Sequence, residues 1–290
     1  MTTVERVVAS QCILGEGPVW HSDEQKLYWV DIKGKAIHTY QPDSNNHHIF
    51  QFEEYIAALA IRQQGGFIVA GQKHLHTWDG QSETLTPIIE VEPGQPANRF
   101  NDGAVDKQGR FWMGTMPDVE RTPTGNLYRL DPDFSLHHMV SDVYISNGIG
   151  WPLDDSIMYY TDSFPRAIYA YDFDAATGGI TNRRTFLHTP DLPGVPDGMT
   201  VDSENHIWSA RWDGYNVTRY APTGEVVQVI ELPTAHITSI TFGGPDLRDL
   251  YITSAKDELT DEQLANEPQA GDLFRVRVDV PGQPEPRFRG

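Results

Sequence analysis

Hydrophobic and polar residues alternate with a period of two along most of the chain, and short turn signals interrupt the alternation. This period places successive side chains on opposite faces and predicts β-strands. The turn signals contain glycine, as in Asp79-Gly80, Gln108-Gly109 and Thr223-Gly224. One short helix is predicted, over residues 260–265, with Thr260 or Asp261 as its N-cap. The pattern therefore predicts an all-β protein.

The alternating pattern itself repeats along the chain. Equivalent positions recur at spacings of 42, 44, 45, 50 and 42 residues, at Glu16, Ala58, Asp102, Asn147, Asp197 and Ser239. Repeats of about 45 residues with four strands each have the size of β-propeller blades. We predict a six-bladed β-propeller of four-stranded antiparallel blades, forming a single domain over residues 1–290. The strands at 4–9 and 273–278 lie outside the repeats, and we expect them to share one blade and close the ring.

The repeated position also carries candidate chemistry. In a propeller the innermost strand of each blade lines a central channel, so equivalent positions form a ring around its axis. Glu16, Asp102, Asn147 and Asp197 would bring three carboxylates and an amide together there. A divalent cation would neutralise them, and these oxygen ligands suit Ca²⁺, Mg²⁺ or Mn²⁺. Turn chemistry is the alternative, but it explains a single acid before glycine better than four residues in one register.

Composition narrows the class of partner. The chain has 22 Lys and Arg against 41 Asp and Glu, a net charge of −19, which argues against a nucleic-acid partner. The chain has one cysteine, Cys12, which fits a protein of the reducing cytoplasm. Cys12 has no base next to it in sequence, so we expect it to be a buried packing residue. Neither a membrane-spanning apolar run nor a signal-peptide pattern is present, so no membrane partner is expected. Oligomeric state leaves no readable signature.

Six motifs resemble those of the regucalcin/gluconolactonase family of sugar-lactone hydrolases, in order and spacing, from about residue 14 to residue 274. They are Leu-Gly-Glu-Gly-Pro-Val-Trp at 14–20, Arg-Phe-Asn-Asp-Gly at 99–103, Gly-Thr-Met at 114–116, Ile-Ser-Asn-Gly at 145–148, Pro-Asp-Gly-Met at 196–199 and Phe-Gly-Gly-Pro at 242–245. The resemblance implies a six-bladed propeller that holds one divalent metal near its axis. It also implies that Glu16, Asn147 and Asp197 are the metal ligands and that Arg99 and Asn101 contact the substrate.

The chain departs from the family at one substrate position. The family's mammalian members carry consecutive acids after the Gly-Thr-Met motif, and the second of them contacts substrate. Val119 occupies that place here. Either Asp118 or Glu120 compensates, or the sugar is held differently on that side. The loop over residues 117–125 is a candidate lid over the channel, with a plain surface loop as the alternative.

The resemblance implies metal-dependent hydrolysis of an aldonolactone, such as glucono-, xylono- or arabinonolactone, to the aldonic acid, and these residue types suit that chemistry. A metal-activated water would attack the lactone carbonyl, with Asp197 as the catalytic general base. The guanidinium of Arg99 suits ring and hydroxyl oxygens. Asp102 would stand behind the ligands, orienting Arg99 or a bound water, or would serve only as a turn residue. The metal could be Ca, Zn, Mn, Mg or Fe(II), and the expected partner is a small neutral sugar lactone.

Two other function classes remain open from the sequence. An organophosphate hydrolase of the diisopropyl fluorophosphatase type would share the propeller and the metal ring. A non-enzymatic calcium-binding or scaffold propeller is suggested by Tyr-Trp-Val-Asp at 28–31 and Tyr-Tyr-Thr-Asp at 159–162, which look like receptor-type repeats. Preference among lactones would depend on channel-wall residues, for which the candidates are Tyr55, Ile149, Trp212 and His236.

Overall fold

The computed structural model describes residues 3–290, and strands dominate it. Its 24 strands form six four-stranded antiparallel sheets, which confirms the predicted six-bladed propeller. Blade 1 contains β2 Gly15–His21, β3 Lys26–Asp31, β4 Ala36–Gln41 and β5 Asn46–Gln51. Blade 2 contains β6 Ala58–Ile61, β7 Phe67–Ala70, β8 His74–Trp78 and β9 Thr86–Glu90. Blade 3 contains β10 Asn98–Val105, β11 Phe111–Pro117, β12 Gly125–Leu130 and β13 Leu136–Val143.

The remaining three blades follow the same plan, and the last one also closes the ring. Blade 4 contains β14 Ser146–Gly150, β15 Ile157–Asp162, β16 Ala167–Asp174 and β17 Gly179–His188; blade 5 contains β18 Val195–Val201, β19 Ile207–Trp212, β20 Asn216–Tyr220 and β21 Val226–Glu231. Blade 6 combines β22 Ile237–Gly243, β23 Asp249–Ser254 and β24 Leu273–Arg277 with β1 Val4–Val8 from the other end of the chain. The pairing of β1 with β24 confirms the predicted closure.

The first strand of each blade faces the propeller axis, with β22 taking that place in blade 6. These six strands pack against one another around the axis in the order β2, β6, β10, β14, β18, β22 and back to β2. The blades bury tryptophans such as Trp29, Trp112 and Trp208 between them. In blades 3 and 5 the indole N–H donates to Asp106 or Asp202, so both buried groups are paired.

Irregular pairing marks five of the six innermost strands. The register against the neighbouring strand shifts within β2, β10, β14, β18 and β22, at or beside the repeated position. Over its described length β6 pairs with β7 without a shift, and β6 carries Ala58 at that position. Because a bulge re-aims side chains locally, the five shifts decide which way the polar ring residues point.

The C-terminal segment, residues 279–290, forms a strap across one end of the channel. Its backbone bonds to several blades: Ser203 N–H donates to the carbonyl of Pro281, and Phe288 N–H donates to the carbonyl of Ile61. The Gln283 side chain adds bonds to the carbonyls of Trp151 and Asp202. The strap therefore links several blades at one end of the channel.

The predicted helix is confirmed as α1, Asp261–Asn266, with Thr260 as the N-cap. Thr260 and Gln263 form a reciprocal capping box, which satisfies two backbone N–H groups at the helix start. Among the described residues, no helix is both long and apolar enough to cross a membrane.

Candidate active site

The open end of the channel forms a polar cavity, here called the mouth cavity. Glu16, Asn147 and Asp197 reach it from the innermost strands of blades 1, 4 and 5, so the structure brings the three expected metal ligands together. Arg99, Asn101 and Asp118 line the same cavity from blade 3 and the loop that follows β11. Its remaining wall residues include Lys33, Met116, Arg121, Ser163, Trp212, Asp257 and Glu258.

The other repeated positions face elsewhere. Asp102 and Ser239 line a second cavity on the strap side, here called the rear cavity, whose wall includes residues 283–286. Ala58 is buried and is not among the residues of either cavity wall. The strand registers show that the sequence alignment of the ring is wrong by one residue here: Asn101 and Thr238 correspond to Asn147 and Asp197, whereas Asp102 and Ser239 come one residue later. Asp102 therefore stands behind the mouth cavity, with Oδ1 accepting a hydrogen bond from Gly103 N–H at 2.7 Å.

Glycines beside the ring residues let the innermost strands approach one another closely. A Cβ at Gly148 would lie 2.7 Å from the Met199 backbone nitrogen, and one at Gly198 would lie 2.3 Å from Ser239 Oγ. Larger residues at either position would push neighbouring blades apart. The acid-Gly and Asn-Gly pairs thus serve the packing of the ring as well as its chemistry.

The three carboxylates of the ring are buried and perturb one another. Burial and, to a smaller extent, the nearby charge of Asp102 raise the pKa of Glu16 from 4.5 to about 8. Burial likewise raises the pKa of Asp102 to about 6. The pKa of Asp197 lies well above its usual range because of burial and the charges of Glu16 and Asp102. Positive charge among these groups would favour their ionised forms.

The donor set fits a hard divalent cation. Asp197 Oδ1 is buried and, among the described residues, accepts no hydrogen bond. A buried carboxylate oxygen left unpaired is costly, and a cation would satisfy it. The side chain of Glu16 accepts a bond from Gly17 N–H at 3.1 Å through Oε2. Two carboxylates and the neutral amide of Asn147 balance the charge of a divalent ion.

A chain of hydrogen bonds links the cavity wall to the amide of Asn147. Asp118 Oδ1 accepts from Arg99 Nε at 2.7 Å, and Arg99 Nη1 donates to Asn101 Oδ1 at 2.7 Å. Asn101 Nδ2 then donates to Asn147 Oδ1 at 2.8 Å, and Asn147 Nδ2 donates to Ser163 Oγ at 2.8 Å. This series of hydrogen bonds orients the Asn147 oxygen and engages both the oxygen and the nitrogen of the Asn101 amide.

These hydrogen bonds also fix the orientation of the Arg99 guanidinium. Nε and Nη1 are held by Asp118, Asn101 and the carbonyl of Phe100. The guanidinium plane is thereby fixed at the cavity wall. Asp118 is the acid that reaches this wall, whereas Val119 and Glu120 are exposed and do not line the mouth cavity. Of the two compensating acids considered above, the structure brings only Asp118 to the site.

Two ion pairs at the cavity rim could not be read from the sequence. Lys33 Nζ lies 2.6 Å from Asp257 Oδ2, and Arg121 Nη2 lies 3.0 Å from Glu258 Oε1. Arg121 belongs to the 117–125 loop of blade 3, while Glu258 follows β23 in blade 6, so the second pair reaches across the mouth. Adjacent acids at 257–258 and a basic residue in the loop are the only sequence signals, and neither indicates a pairing.

The four residues expected on the channel wall lie in different parts of the structure. Trp212 lines the mouth cavity and stacks on His236, with ring centroids 3.9 Å apart and planes 14° from parallel. His236 Nδ1 lies 2.9 Å from the carbonyl of Asp257, so the stack also supports the rim. Ile149 lines the rear cavity, and Tyr55 is not among the wall residues of either cavity.

The fold and this polar channel define a member of the propeller class to which sugar lactonases and regucalcins belong. The family model described as the SMP-30/Gluconolactonase/LRE-like region matches residues 14–256. The chain belongs to this family, which confirms the resemblance recognised in its motifs.

Individual relatives cover nearly the whole chain. The chain is 39% identical to a pentonolactonase of Haloferax volcanii, over 98% of this chain and 97% of that protein. It is 38% identical to a 6-deoxy-6-sulfogluconolactonase of Pseudomonas putida, over 99% of both. Among solved structures, a calcium-binding regucalcin from Agrobacterium tumefaciens superposes with a TM-score of 0.95 at 29% identity, covering 100% of this chain and 98% of that one.

Proposed function

We propose that the protein hydrolyses a small neutral sugar lactone to its aldonic acid, and that the reaction needs a divalent cation in the mouth cavity. The observation that carries the proposal is the convergence of Glu16, Asn147 and Asp197 on one cavity, with the Asp197 Oδ1 atom buried and unpaired among the described residues. Relatives named as lactonases at 38–39% identity support the substrate class.

A divalent cation held by these three residues would act as a Lewis acid toward the lactone carbonyl and would lower the pKa of water. The residues of the chain divide the remaining work. Asp197 can ligate through one carboxylate oxygen and accept the proton of the attacking water with the other. Arg99, fixed by Asp118 and Asn101, presents its guanidinium to ring or hydroxyl oxygens of the sugar.

The charges of the cavity wall favour a neutral substrate. Three cationic and five carboxylate side chains line the mouth cavity, so a divalent ion would bring its formal charge to zero. The cations at the rim, Lys33 and Arg121, already pair with acids. A neutral lactone therefore binds without an electrostatic penalty.

The test is acid release from a panel of five- and six-carbon aldonolactones at constant pH, with Ca²⁺, Zn²⁺, Mn²⁺ or Mg²⁺ supplied after chelation. Each lactone also hydrolyses spontaneously, so the enzymatic rate is the excess over that background. Glu16→Gln and Asp197→Asn should lose at least a hundredfold in kcat, in line with loss of a metal ligand or a general base.

Asp102→Asn is the matched control, because it removes a ring carboxylate that faces the rear cavity. It should lose less than tenfold. If the metal-loaded wild type accelerates no lactone on the panel, the proposed function is wrong. Turnover of a phosphoester with none of any lactone would favour the organophosphate alternative. Calcium binding without turnover of either would favour a binding propeller.

A further inference from the structure

The single cysteine lies in a buried group of metal-ligating side chains that the sequence did not reveal. Cys12 Sγ, a carboxylate oxygen of Asp31 and a ring nitrogen of His38 lie within 4.8 Å of one another. Each residue is at most 5% exposed. The expectation that Cys12 has no neighbouring base holds only along the chain, because folding places β4 against the segment that joins β1 to β2.

The spacing of the two softest ligands matches a bound ion. Cys12 Sγ and His38 Nε2 are 3.8 Å apart. A tetrahedral zinc ion, with Zn–S of about 2.3 Å and Zn–N of about 2.0 Å, separates such atoms by roughly 3.6 Å. Little movement is therefore needed to seat a metal between sulfur and nitrogen.

Neighbouring groups hold two of the ligands in place. The Asp31 carboxylate accepts backbone N–H bonds from Ile13, Leu14 and Gly34 at 2.8–2.9 Å. His38 Nδ1 lies 3.0 Å from a ring nitrogen of His47, so Nε2 is left to face Cys12. Support of this kind, a bonded carboxylate and an imidazole whose second nitrogen has a partner, is typical around metal ligands.

Blade 4 provides an internal comparison. Asp162 ends β15 as Asp31 ends β3, and it also accepts bonds from two backbone N–H groups. The positions that correspond to the cysteine and histidine are Val143 and Tyr169 there. The carboxylate therefore has a role in the fold of both blades, whereas blade 4 has neither the thiol nor the imidazole of blade 1.

The position of the group suggests what an ion would do. The backbone of Cys12 bonds to blade 6, donating to the carbonyl of Gly271 and accepting from Lys256 N–H. Its side chain faces blade 1. One thiolate and one carboxylate neutralise a divalent ion, so the buried site would carry no net charge. Mixed sulfur, nitrogen and oxygen ligands favour zinc over calcium or magnesium.

We propose that Cys12, Asp31 and His38 form a zinc-type site that fastens blade 6 to blade 1 where the ring closes. On binding, the Cys12 thiol gives its proton to solvent and the sulfur–metal bond takes its place. Of these three residues none lines the mouth cavity or the rear cavity. The proposal is therefore independent of lactone hydrolysis.

Cobalt(II) tests the site directly, because a thiolate ligand gives Co²⁺ an intense near-ultraviolet charge-transfer band that oxygen and nitrogen ligands do not. The chain has one cysteine, so such a band can arise only from Cys12. We expect the band in wild type, saturating at one Co²⁺ per chain, and its loss on adding Zn²⁺. Because the group is buried, loading should be tried both on folded protein and during refolding with Co²⁺. Absence of the band by both routes would overturn the proposal.

Variants and thermal unfolding give a second readout. Cys12→Ser should abolish the band, and His38→Gln should weaken Co²⁺ binding at least tenfold. His48→Gln is the matched control, since His48 lies on the neighbouring strand with its side chain exposed, and it should behave as wild type. Zn²⁺ at a hundredfold excess over its Kd should raise the unfolding midpoint of wild type by roughly 5 °C. An equal rise in Cys12→Ser would contradict the assignment.

Discussion

Asn101 is placed to position the proposed metal ligand Asn147 as well as to face the proposed substrate, and replacing Asn101 separates these two roles. Its Nδ2 donates to Asn147 Oδ1 and to the carbonyl of Ser146, both at 2.8 Å. Its Oδ1 accepts from Arg99. Asn101→Ala removes all three bonds, so the Asn147 amide loses the donor that orients its oxygen.

The expected magnitude follows from these contacts. Loss of a group that orients a metal ligand lowers metal affinity by about 10–100-fold, which is about 1.4–2.7 kcal/mol. Leaving buried partners without hydrogen bonds should also lower the free energy of unfolding by about 1–3 kcal/mol. The metal dissociation constant and the stability should therefore change together in this variant.

Asn98→Ala is the matched control. Asn98 lies on the same strand, β10, and is equally buried, and its amide bonds to Glu92 and to Thr124. It should cost similar stability and change metal affinity by less than threefold. Calorimetric titration with Ca²⁺ and thermal unfolding measure the two quantities in both variants.

Two outcomes would refute the reasoning. If both variants weaken Ca²⁺ binding equally, the effect is a general loosening of blade 3. If Asn101→Ala raises the KM for lactone with the Ca²⁺ affinity unchanged, Asn101 acts on the substrate alone, and its bond to Asn147 has no consequence for the metal.

The remaining predictions concern charge at the mouth cavity. In chelated protein, burial raises the pKa of Glu16 to about 8 and of Asp102 to about 6, above their unfolded values, so the folded state holds more protons in this range. Stability should then fall as pH rises from about 5 to 8; a midpoint of thermal unfolding that climbs over that window would contradict it. Asp118→Ala should raise KM about tenfold because Arg99 loses a charged partner, while Glu120→Ala, an exposed neighbour, should leave it unchanged; equal effects would refute the assignment. Arg121→Ala and Glu258→Ala should each raise KM two- to fivefold, as expected for an exposed ion pair, and the double variant no further; additive effects would show that the pair is not coupled.

The fold could be predicted because its information is local and repeated. In each blade, alternating hydrophobic and polar residues indicate the strands, and glycines indicate the turns. Six repeats of about 45 residues are compatible with few architectures other than a six-bladed propeller. The same register aligned Glu16, Asn147 and Asp197, which the structure places in one cavity. Ring closure was also predictable, because residues 4–9 and 273–278 had no other partner strands.

Contacts between distant side chains could not be predicted in this way. Arg121 and Glu258 are 137 residues apart, and each is an ordinary charged loop residue in sequence. The approach of Cys12 to His38 depends on how the closing blade seats against the first. The strap over the rear cavity has no alternating pattern at all. In each case the determining fact is the juxtaposition of blades, which a pattern within one blade does not encode.

The bulges of the innermost strands explain why the alignment of the repeated position by sequence alone is wrong by one residue at Asp102 and Ser239. A regular strand alternates strictly, and a one-residue slip turns every later side chain to the other face. Within β2 and β18 the shift accompanies Glu16 and Asp197, which face the mouth cavity, whereas in β10 the shifted segment carries Asn101 to the mouth cavity and Asp102 to the rear cavity. The one innermost strand described without a shift, β6, carries Ala58. Polar chemistry at the axis therefore coincides with broken alternation. Residues that are equivalent by strand register, Asn101, Asn147 and Asp197, face the same cavity, and the spacing of acids in sequence missed this at blade 3 because each bulge adds a residue.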